Sequence, residues 1–417
     1  FLGGRANQIY MSENNLYLTY FKQEVEEDYL ESFCREVYSP LVSEDIKDQI
    51  KEVLDEDISD WKKTNDIQKL VYNYFEEKGD ADKIMELAEK ISEFQGNRGK
   101  LIEKTVITRI DLDDLEVEAS GKVPGRILNQ FAMHEQGNKF FIATTTGDSW
   151  RSRDNSLNHL YSLDNDLEVI GSVEDLAKGE RIYSVRFMQD RAYIVTFRRT
   201  DPLCVIDISD ADDLEVLGYL KITGFSNYLH PYDEDHLIGI GQEADENGRV
   251  QGLKVSLFDV SDVEHPIEVA KYIIDGWSSS SAQYDHKAVL FDKSRNMLVM
   301  PVTSSIKHCT TNNVCGYERF QGAYVFDVTE DEIDLKGMIE HIDDNADVNN
   351  EDKYYWSSYN YAIQRTLFMD DVLYSLSNAI VLASDLQSLT LDEINSVDLP
   401  LIHGDYYGRY DGLVILE

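Results

Sequence analysis

A strand-turn-strand unit that recurs six times limits what this 417-residue chain can fold into more than any other feature. Its clearest copies are Val205-Ile-Asp-Ile-Ser-Asp210 leading to Leu214-Glu-Val-Leu-Gly218, and Leu257-Phe-Asp-Val-Ser-Asp262 leading to Ile267-Glu-Val-Ala270. A third is Val325-Phe-Asp-Val-Thr-Glu330 with Ile333-Asp-Leu-Lys-Gly337. Weaker copies start at Ile110 and Leu163, and the weakest at Ala383. The first acid of each unit is Asp111, Asp164, Asp207, Asp259, Asp327 and Asp385, at spacings of 53, 43, 52, 68 and 58 residues. An Asp at such a turn accepts a hydrogen bond from the amide two residues on, which is the reading preferred here to calcium ligation by Asp207, Asp210, Asp259 or Asp262.

A second hairpin precedes each unit. In 9–18, 131–142, 185–195, 229–238, 289–299 and 367–374, an apolar run meets Asp, Asn or Gly and then another apolar run. Two hairpins make a four-stranded blade, and a blade takes ~40–50 residues. The expected fold is all-β, a β-propeller of at least six four-stranded blades.

In residues 23–104 the apolar spacing changes from two to three and four. Ile46, Ile50, Val53, Leu54, Ile58 and Trp61 fall on one stripe, and Ile67, Leu70, Val71, Tyr74 and Phe75 on a second. Ile84, Leu87, Ala88, Ile91 and Phe94 make a third. Lys78-Gly79-Asp80 reads as a helix stop and a new N-cap, and Gly96 as the last stop. The expected organisation is therefore a propeller over 1–22 and 105–400, a helical insertion over 23–104 in the first blade, and a tail or closing strand over 401–417. The insertion is either an interaction module, with Trp61, Tyr72 and Tyr74 facing outward, or a lid on its blade.

The charge balance is 39 basic against 79 acidic residues, a net of -40. Such a surface repels nucleic acid and anionic lipid. No stretch reaches the roughly 18 apolar residues of a membrane span. The chain begins at Phe1, so any targeting segment is expected to lie outside it. Cys309 and Cys315 flank a short polar segment with only His308 as a nearby metal ligand, so a disulfide and an oxidising compartment are expected. Cys34 and Cys204 either pair or stay free. The acidic run with Asp343, Asp344, Asp347 and Glu351 is a weak candidate for collecting calcium and otherwise a solvated loop. No cofactor beyond that is expected.

The runs Gly179-Glu-Arg-Ile-Tyr-Ser-Val-Arg-Phe187, Gly224-Phe-Ser-Asn-Tyr-Leu-His-Pro-Tyr232 and Tyr284-Asp-His-Lys-Ala-Val-Leu-Phe-Asp292 resemble a family of secreted archaeal and bacterial proteins. Val123-Pro-Gly-Arg-Ile-Leu-Asn-Gln-Phe131 and Asp201-Pro-Leu-Cys-Val-Ile-Asp207 fit it too. These proteins carry a C-terminal β-propeller distantly related to WD40 repeats. The resemblance implies an extracellular or cell-surface location and no particular activity. The family has further strand repeats ahead of the point matching Phe1, and the long acidic insertion departs from its pattern.

No P-loop, Gly-x-Gly-x-x-Gly, Gly-x-Ser-x-Gly or His-Glu-x-x-His run occurs in the sequence. One constellation stands out. Arg186 and His230 occupy similar places near the start of an inner strand in successive blades, with Arg181, Tyr228, Tyr284, Asp285 and His286 beside such starts. At a propeller mouth these groups could bind a carboxylate, a sugar or a peptide end, or they could serve as inter-blade bonds. The expected function is binding or scaffolding of a protein or cell-envelope polymer, with self-assembly a further option. The alternative is an envelope hydrolase or lyase using His230, His286 and Asp285.

Overall fold

The computed structural model describes residues 8–24, 29–79, 81–147, 156–197, 201–245, 247–309, 315–341, 360–388 and 390–400. Among the described residues six antiparallel sheets follow one another along the chain, each a blade with its strands in consecutive order and five of them four-stranded, and the fold is a β-propeller. The first blade runs β1 (Gln8–Met11), β2 (Asn15–Gln23), β3 (Glu103–Asp111) and β4 (Val117–Pro124). The second is β5 (Met133–Gln136), β6 (Lys139–Thr146), β7 (Leu157–Leu163) and β8 (Val169–Leu176). The third is β9 (Arg181–Met188), β10 (Arg191–Phe197), β11 (Asp201–Asp207) and β12 (Glu215–Ile222). The fourth comprises β13 (Phe225–Pro231), β14 (His236–Ala244), β15 (Val250–Asp259) and β16 (Ile267–Asp275).

The fifth blade departs from this plan. Its inner strand is split into β17 (Trp277–Ser279) and β18 (Leu290–Asp292), both paired with β19 (Met297–Cys309). The chain between the two pieces makes short 3-10 turns at Ser281–Gln283 and His286–Ala288. β20 (Cys315–Val328) and β21 (Ile333–Glu340) complete it. β19 and β20 stay paired out to Cys309 opposite Cys315, the two cysteines that flank the short polar segment. The sixth blade is β22 (Arg365–Met369), β23 (Val372–Leu376), β24 (Ile380–Asp385) and β25 (Glu393–Asp398).

The middle strands are buried on both faces, so β10 is apolar almost throughout while β12 alternates. Facing blades share cores. Phe141, Leu160, Ile194 and Ile206 join the second and third blades, and Val299, Val325, Leu373 and Leu382 the fifth and sixth. At Asp111, Asp164, Asp207 and Asp385 the recurrent Asp does what the sequence predicts. Asp111 Oδ1 accepts from the Asp113 amide at 2.7 Å, Asp207 from Ser209 at 2.8 Å and Asp385 from Gln387 at 2.8 Å. Just before each such Asp the ladder shifts register, because the fourth strand carries one extra residue: Glu118, Ile170, Leu217, Val269, Lys336 and Ile394 in turn.

By its contacts the chain divides into two compact units. One is Phe1–Phe225 with 246–248 and 260–266, and the other holds Ser226–Asp245, Arg249–Asp259 and everything from Ile267. Within each, small residues let blades close up. A Cβ on Gly171 would lie 2.3 Å from the Ala211 carbonyl oxygen, and one on Gly218 would lie 2.2 Å from that of Val263. Gly337 in the second unit abuts Leu391 in the same way.

The insertion lies between β2 and β3, as its apolar period predicts. It contains α1 (Tyr29–Phe33), a π-helical turn over Cys34–Tyr38, α2 (Glu44–Asp55), α3 (Asp60–Lys78) and α4 (Ala81–Ile102). Val37, Ile50, Ile67, Val71, Phe75 and Phe94 give it a core of its own. Gly79 stops α3 with φ +62°, its amide N–H donating a hydrogen bond to the Phe75 carbonyl. Gly96 does not stop α4, which runs on into β3; a lone interior Gly costs only ~1 kcal/mol against Ala. Ile84, Ala88 and Trp61 are exposed and Ile58 lies outside the cluster, so four stripe positions do not join the core. Trp61 and Tyr72 do face outward, whereas Tyr74 is half-buried against Phe75 and Lys78. Cys34 sits in the helical core and Cys204 in a blade core, and both are free thiols. Burial pushes each thiol up to about 12, so both are inert packing groups. No helix among the described residues is long and apolar enough to cross a membrane.

Candidate functional site

The residues singled out from the sequence occupy several places. In the first unit, Arg181 opens β9 and Arg186 lies five residues further along it, so they are ~17 Å apart along the strand. Arg186 and His230 hold the same rank in their inner strands, but towards the end rather than the start. Arg181 stacks on Tyr183 with its guanidinium carbon 4.8 Å from the ring centre. Arg186 lies 4.3 Å over the Phe131 ring and borders an aromatic cleft of about 550 Å³ shared with Tyr10, Met11, His134 and Phe187. There His134 stacks on Phe187 at 5.1 Å, and burial lowers its pKa.

In the second unit, Tyr228 Oη and His230 Nδ1 are hydrogen-bonded at 3.0 Å, and the His230 ring meets Phe291 edge-on at 5.2 Å. Tyr284, Asp285 and His286 fall in the turn that splits the inner strand of the fifth blade. Tyr284 is 83% exposed. Asp285 caps the His286–Ala288 turn by accepting from the Lys287 amide at 3.0 Å, and it takes Arg365 Nη2 at 2.6 Å. Partial burial would raise its pKa, but the Lys287 amide and Arg365 outweigh this and hold the carboxyl below its ordinary value.

Asp285 and Arg365 border a cleft of about 400 Å³. Its lining includes Ser279, Ser281, Thr303 and Gln321 over an apolar floor of Val302 and Ile363. Neither His230 nor His286 is among the residues lining it. The cleft thus offers hydroxyls, an amide and one charged pair that is itself half exposed. That lining suits a ligand with many hydroxyl or amide groups. Sequence reasoning missed Arg365 and the serines. The signal was there: Arg365 opens the inner strand β22 as Arg181 opens β9, and Ser278 to Ser281 form a polar run where an inner strand is due.

A buried His–Ser pair also occurs in the second unit. His341 Nε2 is 2.7 Å from Ser375 Oγ, and Nδ1 is 2.9 Å from Ser377 Oγ. Ser375 is 0% and His341 4% exposed, so no substrate reaches them and the pair braces two blades. Burial lowers the His341 pKa to about 4. The acidic candidates Asp343, Asp344, Asp347 and Glu351 lie outside the described residues, as does 401–417.

A profile described as beta propeller domain matches residues 1–389. An uncharacterised protein of Methanocaldococcus jannaschii is 38% identical over 345 residues, covering 82% of this chain and 51% of that protein. One from Archaeoglobus fulgidus is 36% identical over 296 residues, covering 70% and 45%. The chain therefore spans about half the length of these relatives. Among solved structures, a putative 6-phosphogluconolactonase from Bacteroides uniformis aligns with TM-score 0.38 and 11% identity, covering 72% of this chain and 79% of that one. BamB from Moraxella catarrhalis aligns at TM-score 0.36 and 11% identity, with 70% of each chain covered. Likenesses this loose carry no functional argument.

Proposed function

Because the chain belongs to the beta propeller domain family, we propose that it is an extracellular or cell-surface binding and scaffold protein whose second-unit cleft takes a hydroxyl-rich envelope polymer. The observation that carries this reading is the cleft itself, with Ser279, Ser281, Thr303 and Gln321 set around the Asp285–Arg365 pair. Neutral donors and acceptors around one exposed charge pair give many weak, directional bonds and no poised nucleophile. Catalysis by His230, His286 and Asp285 asks for the three to converge, yet His230 is bonded to Tyr228 and Asp285 to Arg365.

The cysteines support that location. Cys309 and Cys315 are direct partners across the β19–β20 ladder. Opposed residues in an antiparallel pair have Cα atoms ~4.5–5.5 Å apart, inside the range a disulfide spans. We assign a disulfide there, which an oxidising compartment would keep. Mass spectrometry of non-reduced peptides is expected to show residues 309 and 315 linked; two alkylatable thiols would remove the support for an extracellular location.

The functional test is incubation of the purified chain with envelope polysaccharide. Co-sedimentation with the polymer length unchanged is the expected result. Shortening of the polymer would favour the hydrolase or lyase reading, and no retention would remove the proposed ligand.

A further inference from the structure

One cluster of side chains ties the insertion to the second blade, both within the first unit. Lys100, in the last turn of α4, places Nζ 2.9 Å from Glu174 Oε2 and 2.7 Å from Asp175 Oδ1 at the end of β8. Behind them, His159 of β7 is fully buried, with Nδ1 3.9 Å from each carboxylate. The Asp175 amide donates to His159 Nδ1 at 3.3 Å, so Nδ1 carries the ring's one lone pair, and a metal bound there would displace that long hydrogen bond. Nε2 then carries the proton and donates to Thr146 Oγ1 at 2.9 Å, which fixes the ring as an outer-shell partner fixes a ligating imidazole. Burial, followed by the Lys100 charge, lowers the His159 pKa to about 4, so the ring is neutral at neutral pH.

Tyr161 supplies a second, independent observation. It is 2% exposed and stacks beside His159 at 5.8 Å, and its hydroxyl faces Glu174 without making a hydrogen bond of good geometry among the described residues. A buried hydroxyl without a well-formed hydrogen bond is costly and marks a place where a better partner belongs.

We propose that His159, Glu174 and Asp175 form a divalent transition-metal site whose resident cation is the Lys100 ammonium, and that metal binding frees the end of α4 from the second blade. One imidazole nitrogen and two carboxylates suit zinc or manganese. The three ligand atoms already lie within 4.8 Å of one another. Metal bonds of ~2.0–2.2 Å require them to draw in by less than ~1 Å. Glu174 and Asp175, with side chains 37% and 53% exposed, can make that move while Thr146 holds His159 still. The two carboxylates carry a charge of -2, which one lysine half neutralises and one divalent ion neutralises fully. A water on that ion would offer the Tyr161 hydroxyl a well-aligned partner. Lysine and metal cannot share the position, so each weakens the other.

The test uses the full chain stripped with chelator, titrated with Mn²⁺ by the loss of its free-ion electron paramagnetic resonance signal. Lys100→Ala is expected to bind one Mn²⁺ at least tenfold more tightly than the wild type. His159→Gln in the Lys100→Ala background is expected to abolish binding; Glu174→Gln, at a half-exposed position, makes the same test without touching the core. Hydrogen exchange of residues 98–102 in the wild type is expected to rise on adding Mn²⁺ to the level Lys100→Ala shows without metal. Equal affinity in wild type and Lys100→Ala, binding that survives both Glu174→Gln and His159→Gln, or exchange unmoved by bound metal would each overturn the proposal.

Discussion

Replacing Gly171 by alanine probes how the blades are held together. Gly171 lies in β8 opposite Ser162, and its backbone is not in the left-handed region, so alanine brings a question of space and not of dihedral strain. The added Cβ would sit 2.3 Å from the Ala211 carbonyl oxygen of the next blade and 2.8 Å from Ser162 Oγ. Ordinary carbon–oxygen contact needs ~3.2 Å, so the two blades must part by nearly 1 Å; overpacking of this kind costs about 1–3 kcal/mol. The Ser162 hydroxyl donates to that same Ala211 oxygen, and disturbing this bond adds about 1 kcal/mol. Against this, alanine gains about 0.5–1 kcal/mol over glycine within a strand. The net expectation is a loss of about 1–3 kcal/mol, which lowers the urea midpoint by ~0.5–1 M at an m-value of ~2–3 kcal/mol/M. Gly316→Ala is the control, since a Cβ there meets nothing within 4 Å. Equal midpoints for Gly171→Ala, Gly316→Ala and the wild type, followed by circular dichroism, would refute close inter-blade contact as the reason for glycine.

Leu115 and Leu167 both have φ 60°, but Leu115 is 69% exposed and Leu167 is 2% exposed. Leu115→Gly is expected to stabilise by up to about 1 kcal/mol through relief of left-handed strain, and Leu167→Gly to destabilise by about 2–5 kcal/mol through its lost core contacts, both read by urea melts. His159 and His341 have folded pKa values near 4 against an ordinary 6.5. Between those values the unfolded chain binds protons that the folded chain refuses, so stability is complete above pH 6.5 and falls as pH drops towards 4. At ~1.36 kcal/mol per pH unit the loss approaches about 3 kcal/mol for each histidine. His341→Gln should flatten part of that slope in stability measured from pH 7 to 4, and an unchanged slope would contradict the assignment.

Much of the fold was legible because its rules are local. The turns at Asp111, Asp164, Asp207 and Asp385 each carry a hydrogen bond from an amide two residues on, and the hairpins alternate or run apolar over about ten residues, so six blades could be counted from sequence. What escaped depends on distant partners. Gly171 looks like any strand glycine until Ala211 is placed against it. Lys100 meets Glu174 and Asp175 across more than 70 residues of chain, with nothing local to signal it. Gly96 was misleading for the opposite reason: a strong local stop signal gave way to a helix held at its far end by Lys100. In the candidate site, Asp285 was visible as a polar residue in a family-like run. Arg365, its partner 80 residues on, needed the comparison of one inner-strand start with another. The grouping of Arg181 with Arg186 failed because residues five apart on a strand stand at opposite ends of it.

The central claim, that the cleft beside Asp285 and Arg365 binds an envelope polymer, is tested most directly by measuring the affinity of the purified chain for that polymer with Arg365→Gln beside the wild type. Arg365 lies at the rim, with its side chain 42% exposed, so its replacement leaves the blade cores untouched. The account predicts at least a tenfold loss of affinity with an unchanged melting profile; unchanged affinity in both Arg365→Gln and Asp285→Asn would contradict it.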